Sequence, residues 1–375
     1  MFSAMFFITG ITTPFLPVWF ESRGFSVAEI GALAILPQLV RSIAAPVVGF
    51  EADRNQAHRA LVITCTAVGL AAWLLMWSTS SFALALAAMA MVAISQTAWP
   101  LVETVAMAGV RVLGHDYGRM RLWGSAAFVV ANLLAGWLAG WLGVASIIGL
   151  IVTGAVISFS MSLLMPPMMA SDLVPRRRLA LADARALLKM REMQLVLLSA
   201  GAVQGAHGMF YAYGTLHWQA QGIATQWFGA LWAIGLAAEI ALFFWSSEVV
   251  RRVGAAELMV VGPALSVFRW LMMALDPSLI FLLPLQLLHG LTFGTSHIGA
   301  MHMLIKIAPV DRAATAQALY AVVQTLGTVT ATALSARLYP VAGGQTYLAM
   351  AAMATIALAA AVAVLRTVRR QYELA

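Results

Sequence analysis

Five charged side chains stand in or at the edge of long hydrophobic runs: Arg41, Glu103, Arg121, Glu239 and Arg269. A charge at the centre of a bilayer costs about 2.5–3.5 kcal/mol on insertion scales, so one kept there needs a partner of opposite sign or a task. His207, His289, His297 and His302 have similar surroundings. Imidazole, with an ordinary pKa of about 6.5, gains or loses a proton on small changes of environment. Guanidinium, carboxylate and imidazole in one apolar setting can bind an anion, take up a proton and make one event depend on the other. Metal chemistry is the weaker reading: the last three histidines are spaced to fall on diverging helix faces and no cysteine is near them. Cys65 is alone, which excludes a disulfide framework.

The polar residues follow helical stripes. Gln96, Pro100 and Glu103 share one face, Arg121, Ser125, Phe128 and Asn132 another,. Glu103 and Arg121 are therefore expected to pair, either as a structural bridge or around a ligand. Gln204, His207, Tyr211, Thr215 and Trp218 put hydrogen-bonding groups and aromatic faces on one stripe, which suits a ligand with a ring and polar substituents but also ordinary packing. His289, Thr292, Ser296 and His297 make a further stripe, and Arg269 completes the set.

The elements that position these groups must be membrane helices. Of 375 residues, 62% are hydrophobic and 10% charged. About a dozen apolar stretches reach the ~20 residues needed to cross a ~30 Å hydrocarbon core. They are read near 2–20, 27–50, 60–79, 82–110, 121–141, 145–166, 192–216, 226–246, 256–275, 279–304, 317–339 and 345–366. Pro14 and Pro17 interrupt the first, which lacks a basic leader and a cleavage site, so it is expected to be a retained span.

The formal charge of +7 does not signal nucleic acid. With both termini cytoplasmic, all Lys and Arg except Arg23, Arg41, Arg269 and Arg337 fall on the inner side, the positive-inside pattern. Arg176, Arg177 and Arg178, with Arg185, Lys189 and Arg191, are spaced to meet anionic lipid heads or to form a solvated linker.

Gly31-Ala32-Leu33, followed by Arg41, reappears 198 positions later as Gly229-Ala230-Leu231, followed by Glu239. The offset aligns the second span with the eighth, the parallel repeat of two six-span halves. The organisation expected is an N-terminal half 1–166, a cytoplasmic linker 167–191 and a C-terminal half 192–375. Counted along the helix at 1.5 Å per residue, Arg41 and Glu239 lie near mid-membrane, where each could face a cavity or the two could lock the halves together. An all-α membrane protein of two six-helix bundles is the architecture of the major facilitator transporters, an inference from fold alone.

Particular residues narrow it. The run Asp116-Tyr117-Gly118-Arg119-Met120-Arg121-Leu122-Trp123-Gly124-Ser125, the group Gln204, His207, Tyr211 and Trp218-Gln219, then Glu239, Phe268-Arg269-Trp270, Leu288-His289 and His297 resemble, in order and across the chain, the bacterial 3-phenylpropionic acid transporter family. The resemblance implies uptake of aromatic carboxylates with protons. A more distant similarity to lactose permease implies substrate binding at Glu103 and Arg121 and proton coupling at Glu239, Arg269 and His289. Where that permease has a second carboxylate after its histidine this chain has Thr292, and where it has a sugar-stacking tryptophan this chain has Phe128. Gly49, Asp53, Arg54 and Arg59 resemble the loop signature of the superfamily, which implies a cytoplasmic latch with the glycine permitting close helix approach.

The reading is a proton-coupled carrier, with no cofactor beyond the proton gradient, of a small aromatic acid across the inner membrane. Protons, the substrate and the lipid bilayer are its partners, and a monomer is the expected state. Arg41, Glu103, Arg121, Phe128, His207 and Tyr211 are the substrate candidates; Glu239, Arg269, His289 and His297 are the coupling candidates. A sugar or nucleoside symporter, or a drug exporter, would share the fold. An enzyme is disfavoured, since no metalloprotease signature, nucleophile elbow or phosphate-cradling loop accompanies the charges.

Overall fold

The computed structural model describes residues 1–113, 117–166 and 181–373. Asp116, the Arg176–Arg178 run with the rest of 167–180, and the side chains of Asp53 and Arg119 lie outside the described residues. Seventeen α-helices follow one another: α1 Phe2–Ser22, α2 Val27–Asn55, α3 His58–Ser78, α4 Phe82–Ser95, α5 Ala98–Leu113, α6 Tyr117–Leu142, α7 Ser146–Leu163, α8 Leu181–Leu188, α9 Arg191–Gly205, α10 Gly208–Ala220, α11 Gln226–Phe244, α12 Ser246–Val253, α13 Ala255–Met273, α14 Leu279–His289, α15 Thr295–Ile307, α16 Ala313–Ala342 and α17 Tyr347–Glu373. Among the described residues there is no strand.

Eleven helical runs are long and apolar enough to cross a membrane. The last, Val310–Arg370, holds both α16 and α17. Gly343 separates them at φ +52°, a left-handed backbone that glycine adopts without steric penalty,. Each of the two exceeds the length of a crossing, so the described residues hold twelve spans,. Large apolar side chains such as Ile43, Leu164, Phe244 and Ile280 stand outward, as a lipid-facing surface requires,.

Three spans read as continuous are broken, each for a local reason. In the fourth, Pro100 cannot donate to the carbonyl of Gln96. Thr97 and Trp99 instead bond three residues back, to Ile94 at 3.0 Å and Gln96 at 3.2 Å,. In the seventh, Ala206 and His207 interrupt the helix between two glycines. A Cβ on Gly205 would lie 2.8 Å from the carbonyl oxygen of Gly327, and one on Gly208 would lie 2.7 Å from the Ala331 Cβ. Glycine there lets the broken helix lie directly on α16. In the tenth, a π-helical turn, Gly290–Gly294, joins α14 to α15. A Cβ on Gly290 would stand 2.6 Å from the backbone of Ala238 and Glu239.

The chain divides into two compact units. The first is Met1–Arg176 with Trp218–Ala230. In it α1 packs on α6 and α7, and α3 on α4 and α7. Phe2, Met5, Val62, Cys65 and Leu101 are among its core residues. Buried hydroxyls are satisfied across helices, as where Thr66 donates to Ser162 at 2.9 Å. Helix α2 starts on a capping box: the Ser26 hydroxyl accepts from the Glu29 amide, and the Glu29 carboxylate accepts from the Ser26 amide at 2.8 Å,.

The second unit is Arg177–His217 with Leu231–Ala375. In it α9 packs on α16 and α17, and α13 on α15 and α17. Gly201 and Gly327 set the closest approach, because a Cβ on Gly327 would collide with the carbonyl oxygen of Gly201. Gly327→Val is expected to destabilise the protein by about 1–3 kcal/mol, the cost of overpacking a tight contact. A lower melting temperature in detergent checks it; an unchanged one would mean the helices can part without loss.

Candidate functional site

Arg269 is wholly buried on α13. Gln286 and His289 lie one turn apart on α14 and reach it from the same side. One terminal nitrogen donates to Gln286 Oε1 at 2.9 Å, and the other to His289 Nδ1 at 3.2 Å, with Thr292 Oγ1 at 3.5 Å. The guanidinium carbon stands 4.8 Å from the centre of the Phe210 ring and 4.6 Å from that of Trp270, close enough for cation–π attraction on both faces,. Every one of these partners is formally neutral. Glu239 meets His289 instead, its Oε2 3.6 Å from Nε2, inside ion-pair distance but beyond a hydrogen bond,.

Donor logic fixes the protons. Arg269 only donates, so Nδ1 of His289 must accept, and the ring hydrogen sits on Nε2, facing Glu239. His207 has the opposite arrangement. Its Nδ1 is 2.8 Å from the carbonyl oxygen of Val203 and must donate, which leaves Nε2 to accept from Thr292 at 3.2 Å,. The one hydrogen of the Thr292 hydroxyl is shared between His207 Nε2 and the carbonyl of His289, also at 3.2 Å. A second proton on His289 would break its bond with Arg269.

Aromatic rings surround the network. Phe210 stacks on Trp232 at 4.6 Å, Tyr211 on Trp232 at 6.0 Å, and Trp270 on Tyr347 at 5.6 Å. His207 meets the edge of Trp270 at 5.1 Å. Among the described residues, the buried Nε of Arg269, Nε2 of Gln286 and indole nitrogens of Trp232 and Trp270 have no hydrogen-bond partner. Gln204 Oε1 and the Tyr347 hydroxyl are buried without a partner as well.

The structure thus gathers Glu239, Arg269, His289, His207 and Tyr211. It puts His297 further along α15, with Nδ1 2.8 Å from the Tyr320 hydroxyl. The remaining candidates belong to the first unit, and there the expected pairing is not formed. Arg121 stands over the Phe6 ring at 4.1 Å and the Phe2 ring at 5.8 Å, and no ion pair joins it to Glu103 among the described residues. The aromatic residues of α1 reach its guanidinium, and cation–π contact takes the place of the carboxylate. Arg41 donates to Gln96 Oε1 at 3.4 Å. Gln96 in turn borders a small cavity that Thr9, Thr12, Thr66, Ser95 and Ser158 also line. Phe128 is half-buried on α6, its carbonyl 2.7 Å from where a Cβ on Gly10 would be.

In the loop signature, a Cβ on Gly49 would meet nothing within 4 Å, so close helix approach is not what this glycine serves here. Asp53's side chain is outside the described residues, and Arg54 is exposed. Arg59 donates to the carbonyl of Leu163 at 2.9 Å, a cation on the C-terminal end of α7,. Among the described residues no group of three or more His, Cys, Asp or Glu is placed to hold a metal. Sequence reasoning missed Gln286, Trp232, Phe293 and Tyr320. Gln286 could have been found three residues before His289, on the same helical face; the rings carry no signal apart from ordinary apolar positions.

A model of the MFS_1-like family matches residues 1–365. The chain belongs to that family. Among its MFS_1-like relatives is a probable 3-phenylpropionic acid transporter of Escherichia coli K12, 28% identical over 309 residues, with 80% of this chain and 79% of the relative covered. A maltose permease of Geobacillus stearothermophilus is 27% identical over 330 residues, covering 85% and 81%. The crystal structure of the nucleoside transporter NupG superposes with a TM-score of 0.83 over 97% of this chain and 96% of that one, at 16% identity, which shows the major facilitator fold. The chain is a multi-pass membrane protein of that transporter kind. Gln286→Leu removes the closest acceptor of a buried guanidinium and is expected to cost about 1–3 kcal/mol of stability, seen as a lower melting temperature in detergent.

Proposed function

We propose that this protein is a proton-coupled uptake carrier for a small aromatic carboxylate such as 3-phenylpropionate. In this reading it works by alternating access in a bacterial inner membrane, with both termini in the cytoplasm. The observation that carries the reading is a buried cation held only by neutral groups: Arg269 among Gln286, His289, Thr292 and two aromatic faces. Four donors there, Arg269 Nε, Gln286 Nε2 and the indoles of Trp232 and Trp270, have no partner among the described residues. A ligand that supplies acceptors and a formal negative charge, and that has a flat ring to set beside Phe210, Trp232 and Trp270, complements that inventory.

Coupling follows from the proton positions. A proton taken up by Glu239 makes that carboxyl a donor toward Nε2 of His289, so the ring hydrogen shifts to Nδ1, turns that acceptor into a donor and dislodges the terminal nitrogen of Arg269,. The guanidinium is then free to turn to the substrate carboxylate, so proton and anion favour the same state and must favour it reciprocally. Glu239 is the preferred proton site, Arg269 the anion receptor, His289 the link and His207 the group that keeps Thr292 oriented. Arg41, Glu103, Arg121 and Phe128 are assigned to the substrate path in the first unit. The probable 3-phenylpropionic acid transporter among the relatives agrees with this cargo.

A second reading, a sugar or nucleoside symporter, is favoured by the maltose permease and nucleoside transporter likenesses. Its cargo would bring as many hydroxyl donors as acceptors to a cluster in which four donors already lack a partner among the described residues. Uptake into energised membrane vesicles separates the two. Labelled 3-phenylpropionate is expected to accumulate with an inward proton gradient and to stop accumulating with an uncoupler, while maltose and uridine do not enter; accumulation indifferent to the gradient would sink the coupling. Glu239→Gln is expected to abolish uphill accumulation while leaving downhill exchange, and Arg269→Ala to remove both.

A further inference from the structure

The site leaves one arrangement unexplained: a column of three rings along the tenth span. His289 stacks on Phe293 at 5.9 Å and 7°, and Phe293 on His297 at 5.7 Å and 18°. In a regular α-helix, side chains four residues apart are offset by about 40° around the axis. The rings stack nonetheless, the first pair across a π-helical turn, Gly290–Gly294. Such turns are rare and concentrate at functional sites.

The column has a proton-binding group at each end. Around His289 stand Glu239, Arg269, Gln286, Thr292 and His207. Around His297 stand Tyr320, whose hydroxyl is 2.8 Å from Nδ1, and Gln324, which donates to that hydroxyl at 2.9 Å. Gln324 fills one lone pair of the Tyr320 hydroxyl, which can give its hydrogen to Nδ1 or take one from it on the other lone pair, so His297 has room for a second proton,. The ring between the two in the column is Phe293, and Phe243, one turn after Glu239, meets His297 edge to face at 6.0 Å. A phenyl ring neither accepts nor donates a proton, and apolar constrictions also exclude water.

The turn that holds Phe293 is pressed against the helix that holds Glu239. A Cβ on Gly290 would lie 2.6 Å from the backbone of Ala238 and Glu239, and one on Gly294 would lie 2.6 Å from Leu242. A rearrangement of the π turn to α-helix removes one residue's worth of winding, about 100°. It would rotate Phe293 out of register with one of its neighbours while displacing the backbone beside Glu239.

We infer that Phe293 is a valve between two proton stations, Glu239 with His289 on one side and His297 with Tyr320 on the other, and that the π turn opens it. The inference rests on the proton-coupled reading above and adds to it an exit station and the part that prevents leak. In the proposed orientation α15 leads to the cytoplasmic face, so His297 is the station from which the proton is released. With the valve shut, a proton on Glu239 waits for the substrate; with it open, the proton passes through an ordered water to His297. Bulk at position 293 is therefore a determinant of coupling and not of affinity.

The test uses full-length protein in proteoliposomes that enclose a pH-sensitive dye, with an imposed proton gradient. Without substrate, wild type and Phe293→Leu are expected to stay tight, whereas Phe293→Ala and Phe243→Ala leak protons several-fold faster. His297→Asn combined with Phe293→Ala is expected to bring the leak back down. Binding of labelled 3-phenylpropionate, retained by the alanine variants, shows that they are folded. Tight liposomes with both alanine variants, while wild type still moves protons with substrate, would overturn the valve alone. A wild type that moves no proton with any aromatic acid, beside a leaking Phe293→Ala, would overturn the carrier reading and leave the valve standing.

Discussion

A guanidinium charge removed from water, with no carboxylate on it, is the constraint around which the second unit is built. Arg269 cannot lose its proton in practice, and burying it is tolerable only if every face is answered. The answers come from elements far apart in sequence: an amide and an imidazole from α14, a hydroxyl from the π turn, a ring from α10 and one from its own helix. That demand explains why the tenth span departs from regular winding beside it. It also fixes the tautomer of His289, while the carbonyl of Val203 fixes that of His207. Neutral partners hold the charge without cancelling it, which leaves its attraction for an anion available.

Much of this could be read before any coordinates. Charge inside apolar runs singled out Arg269, Glu239 and His289, because the bilayer makes such residues expensive wherever the fold sets them. Span lengths pointed to the many membrane crossings of a major facilitator architecture. What the chain did not disclose are relations between helices. The pairing of Glu103 with Arg121 was reasonable by charge alone, yet Phe6 and Phe2 hold Arg121 through their ring faces. Gln286 and Trp232 look in sequence like any other residue of a membrane helix.

Breaks in helices were the other hidden feature. Hydropathy sums over a window and is blind to whether the backbone inside it is continuous. Pro100 could have flagged the fourth span, but the seventh and tenth break at glycines, which are common in membrane helices for packing reasons as well. Here packing and breaking are the same event: Gly205 and Gly208 admit α16, and Gly290 admits α11, where any side chain would hold the helices apart. Each broken span also carries residues of the polar network or of the cavity in the first unit.

The first compact unit contains Trp218–Ala230, a stretch that both precedes and follows segments of the second. Phe228 sits beside Phe15 at 6.4 Å, and Gln219 donates to Glu21 at 2.9 Å within that unit. The gene order therefore does not match the order of assembly. A ribosome that has finished the first half of this chain has not yet made all of the first unit, and must deliver the seventh span and the first turn of the eighth before the unit is complete. The second unit lies wholly after Arg176, so a transcript split there would encode all of it in one piece and leave the first unit short of Trp218–Ala230.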